Sequence, residues 1–218
     1  MSSPAAQREG QTTLPARRGV CLVLASPSGG GKTAIARRLV ASDENLALSI
    51  SMTTRAPRAG EQDGVDYLFR PQAAFDTMAA AGGFLEWANV FERSYGTPRA
   101  PVDAAIPAGR DMVFDIDWQG FRSLRAALSG DVIGVFIMPP GLRALEDRLR
   151  KRGDGAAAVA SRMARARDEI CHWAEFDYVV VNEDFDAAVA QVRAILQAAR
   201  LTTARQHGLA DFVTRLDD

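Results

Sequence analysis

Short, almost unbroken apolar runs alternate along this chain with stretches whose apolar residues return every three or four positions. Residues 20–25 (VCLVLA), 112–116 (MVFDI), 132–138 (VIGVFIM) and 178–181 (YVVV) are such runs, and 46–51 (LALSIS) is a weaker fifth. Runs of this length and continuity predict strands covered on both faces. The helical spacing predicts amphipathic helices over 33–40, 119–128, 142–151, 159–173 and 187–206. Strands and helices taken in turn predict an α/β fold, a parallel sheet flanked by helices. Ligands of such sheets bind at the carboxyl ends of the strands.

The alternation breaks twice. Residues 51–100 are rich in Arg, Gly, Pro, Tyr and Trp, with strand-like 65–70 and 84–88 around a short helix near 73–80. They read as an inserted mixed α/β subdomain. The second break is basic: Arg143, Arg148, Arg150, Lys151 and Arg152 precede Gly153-Asp154-Gly155, and Arg162, Arg165 and Arg167 follow. Glycines joining two arginine-bearing helices predict a mobile helical lid. The expected organisation is a disordered tail over 1–18 and one domain over 19–218. Its core comprises 19–50, 101–142 and 168–218, with the insertion at 51–100 and the lid at 143–167.

Composition narrows the picture. The 218 residues are 47% hydrophobic, enough for a sizeable core, and the net charge is −1. Nothing global attracts nucleic acid or an anionic membrane, and no apolar run approaches a membrane span. Two cysteines, Cys21 and Cys171, are too few for a disulfide framework and fit no metal spacing. That usage suits a reducing cytoplasm. The first 18 residues lack the apolar segment of a signal peptide. The sequence does not set the oligomeric state.

The chemistry begins where the first strand ends. Ser26, Pro27, Ser28, Gly29, Gly30, Gly31, Lys32 and Thr33 (SPSGGGKT) sit between a predicted strand and a predicted helix. Glycines let successive N–H groups turn inward on phosphate oxygens, and the helix adds its positive end. Lys32 can reach the outer phosphates of a nucleotide and the Thr33 hydroxyl can ligate Mg2+. Ser26 stands where GxxxxGK[ST] usually has its first glycine. Asp115 closes an apolar strand, as a Mg–nucleotide site requires opposite the loop. Asp117 either caps the next helix or contacts the acceptor. Arg55 and Arg58 bracket Pro57 in TTRAPRAGE, two stiffly held guanidinium forks suited to a phosphate. Tyr67 and Tyr95 add phenol donors. Glu86 lies among apolar residues and needs a pair of donors, which one edge of guanine offers and adenine does not. The Ser51 and Thr97 hydroxyls can donate to guanine O6 or N7. His172 and His207 have no role in such chemistry.

Taken together and in order, SPSGGGKT, TTRAPRAGEQDGVDY, FLEWANVFERSYGT, DIDWQG and VVVNEDFD resemble the bacterial-type guanylate kinases, from about Arg18 to beyond Arg200. The resemblance implies ATP-dependent phosphorylation of GMP, with dGMP a second acceptor and Mg2+ as cofactor. By position it assigns guanine to Ser51, Glu86, Thr97 and Asp117, and the GMP phosphate to Arg55, Arg58, Tyr67 and Tyr95. ATP goes to residues 26–33, Mg2+ to Thr33, and phosphoryl transfer to Lys32, Arg148, Arg152 and Arg162. Asp115, by its place at the strand end, is expected to share the Mg2+, partly through water. Two departures stand out. Ala156, Ala157 and Ala158 replace polar residues in a lid about one residue short, which bears on lid motion and ATP affinity. Ser94 replaces an aromatic residue before Tyr95. The competing readings are a kinase for another acceptor and a non-catalytic module that binds protein partners.

Overall fold

The computed structural model describes residues 16–90, 93–151, 153 and 155–216. In chain order the first elements are β1 (Cys21–Ala25), α1 (Lys32–Val40), β2 (Leu46–Leu48), β3 (Met52–Thr53), β4 (Leu68–Phe69) and α2 (Gln72–Ala80). Next come β5 (Phe84–Val90), β6 (Arg93–Pro98), α3 (Arg99–Ala105), β7 (Asp111–Asp115), α4 (Trp118–Ala127) and β8 (Val132–Met138). The chain continues through α5 (Leu142–Lys151), α6 (Ala156–Ile170), β9 (Tyr178–Val181), α7 (Phe185–Arg200) and α8 (Leu209–Thr214).

Five strands form a parallel sheet in the order β2-β7-β1-β8-β9. The central strand, β1, is wholly buried because both faces are covered. Leu22 and Leu24 face α1 and α7, packing with Ile35, Leu39, Val189, Val192 and Leu196. Cys21, Val23 and Ala25 face the other way, into a layer with Val102, Phe114, Phe121, Leu124 and Phe136. The alternation of side chains along a strand, with apolar residues at every position, fills both layers. Burial of the Cys21 thiol pushes its pKa up to about 12.

The four main strands lie within one residue of the runs that predicted them. The weaker fifth ends at Leu48. There the chain leaves the large sheet for a second one, ordered β4-β3-β6-β5 and built of mixed parallel and antiparallel pairs. Neither β6 (RSYGTP) nor α3 showed in the apolar pattern, because the strand's polar and glycine positions carry no period. The helix expected to reach residue 206 stops at Arg200. Arg205 is drawn out of it, donating from Nη2 to Gly130 O at 2.9 Å and Asp131 O at 3.0 Å.

The same end of the sheet corrects the tail. Arg17 and Arg18, expected to be disordered, are anchored. Arg17 pairs through both terminal nitrogens with Asp111, at 2.7 and 2.8 Å, and Arg18 pairs with Asp131 through Nε and Nη2 at 2.7 Å each. Sequence composition gave no sign of these partners, which lie 94 and 113 residues away. Residues 1–15 lie outside the described residues.

Candidate active site

Four strand ends converge on one rim of the large sheet. β1 runs into the glycine loop, β7 into Asp115 and Asp117, β8 into α5, and β9 into Asn182. The register Leu24↔Asp115 sets Asp115 beside the start of the loop. This placement follows from strand order alone: β1 lies between β7 and β8.

The loop curls as the sequence requires. Gly31 has φ +103°, and a Cβ there would meet Asn182 Nδ2 at 2.4 Å. A Cβ on Gly30 would stand 2.7 Å from that of Ser26. Neither position admits a side chain. α5 lies over the loop, with Leu145 and Leu149 buried against Gly29. Ser26 is buried, and its hydroxyl donates to Pro27 O at 3.0 Å. A small residue in place of the usual glycine is thus accommodated inside the turn.

Lys32 and Thr33 open α1. The Thr33 hydroxyl donates to Asp115 Oδ2, and Lys32 Nζ stands 3.5 Å from Asp115 Oδ1. A cation and two oxygen donors therefore meet at the mouth of the loop. Hard oxygen ligands of this kind suit Mg2+, which keeps several waters or phosphate oxygens of its own. Among the described residues no cluster of three or more His, Cys, Asp or Glu completes a protein-only metal site. A Mg2+ ion here would depend on nucleotide and water for its remaining ligands.

Three concavities run on from one another along this rim. The first is lined by Ser51, Tyr67, Glu86, Tyr95, Asp115, Ile116 and Asp117, and by Ala88. The second shares Ser51, Tyr67 and Asp115 with it and adds Thr33, Arg37, Ser49, Arg58, Glu61 and Asp66. The third shares Thr33 with the second and follows the loop through Ser26, Ser28, Gly29, Gly31 and Lys32. The innermost end holds Glu86, half-buried, its carboxyl pushed above the usual carboxylate range by burial and by the nearby Asp117 charge, against a hydrogen bond from Thr97.

Most of the predicted site residues meet here, with differences in detail. Thr97 is fully buried and lines none of these cavities; its hydroxyl donates to Glu86 Oε1, so in this structure it positions the carboxylate. Asp117 takes the first of the roles left open and stands where the second is available. It caps α4, accepting the Gly120 N–H at 2.9 Å, and lines the first cavity. Arg55 is gripped by Glu61 through two bonds of 2.9 and 2.8 Å and lies over the Tyr67 ring at 5.4 Å. Glu61 also accepts the Arg58 N–H at 2.7 Å, so one carboxylate orders both halves of the arginine segment. Its pKa is lowered by the Arg55 hydrogen bond and by that N–H. Tyr67 and Tyr95 meet edge to face, 6.1 Å apart. Ser94 is buried in a polar cluster, its hydroxyl donating to Asn89 Oδ1 at 2.8 Å, where a larger side chain is absent.

The basic segment reaches the loop from two helices. Arg148 Nη2 donates to Asn182 O at 2.8 Å, while its Nη1 is buried without a partner. Arg162 Nη1 donates to Ser28 Oγ at 3.2 Å. Arg152 lies outside the described residues. A buried guanidinium nitrogen with no protein acceptor has bonding capacity to spare for a water or an anion.

Two further residues were not singled out from the sequence. Asn182 donates from Nδ2 to Gly30 O at 2.8 Å and holds the loop from beneath. An amide that ends an apolar strand was the available signal. Glu169, on α6, has its pKa raised by burial, with Lys32 nearby opposing the shift. Inside an arginine-rich helix it looked like ordinary surface charge.

A protein-family profile described as Guanylate kinase matches residues 18–199. The chain belongs to the guanylate kinase family. It is 60% identical to a guanylate kinase of Granulibacter bethesdensis over 190 residues, covering 87% of this chain and 89% of the relative. It is 58% identical to one of Gluconobacter oxydans, covering 93% of this chain and 97% of the relative. A crystal structure of guanylate kinase from Anaplasma phagocytophilum superposes with a TM-score of 0.78 at 35% identity, covering 92% of this chain and 96% of that one. These are guanylate kinase matches over nearly the whole chain, so the glycine loop and the second sheet belong to one family unit.

Proposed function

We propose that the three adjoining concavities hold, in order, a guanine base, its phosphate and the triphosphate of ATP. The reaction is that of the family, ATP-dependent phosphorylation of GMP to GDP. The observation that carries the assignment of sites is the continuity of the rim. A half-buried carboxylate, Glu86, closes one end, the glycine loop closes the other, and shared residues join them.

Glu86 accepts from guanine N1–H and the exocyclic amine, with Thr97 holding the carboxylate in place. Ser51 and Asp117 complete the base pocket. Arg55, Arg58, Tyr67 and Tyr95 hold the acceptor phosphate. One of its oxygens, ionised at neutral pH, attacks the γ-phosphorus of ATP. A new P–O bond forms as the bond to the bridging oxygen breaks, and ADP leaves. No general base is needed. The obstacle is charge, since two polyanions must meet in line. Lys32, Arg148, Arg152 and Arg162 neutralise it. Thr33 and Asp115 would hold Mg2+, which supplies further charge neutralisation on the phosphates when bound.

The insertion over 51–100 closes on GMP and the lid over 143–167 closes on ATP, expelling water that would otherwise accept the phosphoryl group. dGMP is a second acceptor, because the assigned groups address base and phosphate rather than the 2′-hydroxyl. A cytoplasmic setting accords with two free cysteines, one buried and one exposed. No described helix is long and apolar enough to cross a membrane.

Glu86→Gln tests the base pocket. It replaces one acceptor oxygen by a donor facing another donor, and KM for GMP rises by about 100-fold while KM for ATP stays within about twofold. Unchanged GMP kinetics would remove guanine from this pocket.

A further inference from the structure

The middle concavity contains a cation that the assignment above leaves without work. Arg37 lies on α1 one helical turn beyond Thr33, so the two side chains share a face. Both line the cavity where the acceptor phosphate is placed, together with Arg58, Ser51 and Tyr67. Arg37 Nη2 donates to Asp66 Oδ1 at 2.5 Å. Asp66 precedes Tyr67 in the insertion and is fixed from the other side, its Oδ2 accepting the Gln62 N–H at 2.8 Å. The carboxylate is mostly covered and the guanidinium is not: their side chains are 17% and 60% exposed. Asp66 is thus the more firmly held partner, and Arg37, bonded to it through Nη2, is the more exposed.

The charge in this cavity calls for such a group. Glu61, Asp66 and Asp115 all line it. Arg55 directs two of its bonds to Glu61 and a third to Ala56 O at 2.8 Å. A phosphate dianion entering between three carboxylates is repelled by them and needs guanidinium groups with donors to spare. Arg37, exposed and held by Asp66 through Nη2, is less committed than Arg55.

We propose that Arg37 is a further binding residue for the acceptor phosphate. Asp66 holds the guanidinium at the rim, and the incoming phosphate engages it from the α1 side, opposite Arg58. Because Arg37 belongs to the core and Arg58 to the insertion, a phosphate gripped by both joins the two. The inference rests on the GMP assignment above, so its test separates the two ideas.

Binding of GMP and of guanosine to the full chain would be measured by titration calorimetry for the wild type, Arg37→Ala, Arg37→Lys and Glu86→Gln. Arg37→Ala weakens GMP by about tenfold or more, as expected for a hydrogen bond to a charged group. It leaves guanosine, which lacks the phosphate, unchanged. Arg37→Lys recovers part of the loss, and in turnover KM for GMP rises far more than kcat falls. Equal losses for GMP and guanosine, or no loss for either, would overturn the role of Arg37. Glu86→Gln reports separately on the base pocket. If it changes neither ligand while Arg37→Ala still weakens GMP alone, the base assignment fails and the phosphate contact stands.

Discussion

The two ends of the large sheet carry charge in opposite ways. At the amino ends of the strands, Asp111 is fully buried and accepts from both nitrogens of Arg17, from the Val20 N–H and from Arg200 Nε. Across β1, Asp131 takes Arg18 and Arg205. Arg200 Nη2, buried without a well-aligned hydrogen bond, still lies 2.7 Å from carboxylate oxygens of both Asp43 and Asp111. At the carboxyl ends, Arg148 Nη1, Asn182 Oδ1 and Glu169 Oε2 are buried without partners, and Lys32 stands 3.5 Å from its nearest carboxylate oxygen. Charges of the first kind hold the fold together. Those of the second keep bonding capacity for something that is not protein. Buried polar groups are normally paired, so a concentration of unpaired ones at one rim points to ligands that complete it.

Breaking each end should therefore damage a different property. The largest effect belongs to the open end. Lys32→Ala lowers kcat/KM by about a thousandfold or more, since the lost charge acts on the transferring phosphoryl group. Its melting temperature stays within a few degrees of wild type. Steady-state kinetics and a melting curve on the same preparation check both halves. Asp111→Ala does the reverse. Removing one partner from a buried charge cluster costs about 3–5 kcal/mol, a drop of roughly 10 °C in a chain of this size, while turnover per folded molecule is retained. If Asp111→Ala lost activity without losing stability, the division between the ends would fail.

A smaller effect sharpens the contrast within the open end. Burial raises the Glu86 pKa, and the proposed guanine contact needs the ionised form. KM for GMP therefore rises as pH falls through a window above the usual carboxylate range, and Glu86→Gln abolishes that dependence. A pH profile of kcat/KM for GMP, set against one for ATP, measures it.

The smallest effect lies between the ends, where the 3-10 turn after α6, Cys171–Glu175, meets α4. His172 stacks on Trp118 at 3.6 Å between ring centres and pairs with Glu175 at 2.6 Å. Arg122 binds Glu175 through two bonds of 2.6 Å. The Arg122 hydrogen bonds, and then that of His172, hold the Glu175 pKa down to about 2. A folded-state pKa below the ordinary value adds stability that is present above the usual carboxylate range and is lost as pH falls toward 2. The stability difference between wild type and Glu175→Gln should therefore shrink from pH 5 toward pH 2, as read from denaturant midpoints.

The contrast also explains what the sequence revealed. Strands and loop were legible because their signals are local: a continuous apolar run, three glycines before Lys-Thr, an aspartate closing a strand. The residues proposed to hold GMP were legible as a set through TTRAPRAGE, Glu86 and DIDWQG. Pairings across the fold were not. Nothing near Arg17 predicts Asp111, and nothing near Gly31 predicts that Asn182 fills the space beneath it. Thr97 showed as a hydroxyl available to guanine, yet only strand pairing with Glu86 aims it at the carboxylate. Strand β6 was missed because its role is set by neighbours on both sides and not by its own apolar period.

The most direct measurement is ADP release with Mg–ATP and each of GMP, dGMP, AMP, CMP and UMP as acceptor. Rapid turnover with GMP and dGMP, and little with AMP, is the predicted result. Equal or faster turnover with AMP would contradict the reading of Glu86 as the residue that selects guanine, and absence of turnover with every acceptor, from folded protein, would contradict the assignment of the open rim to phosphoryl transfer.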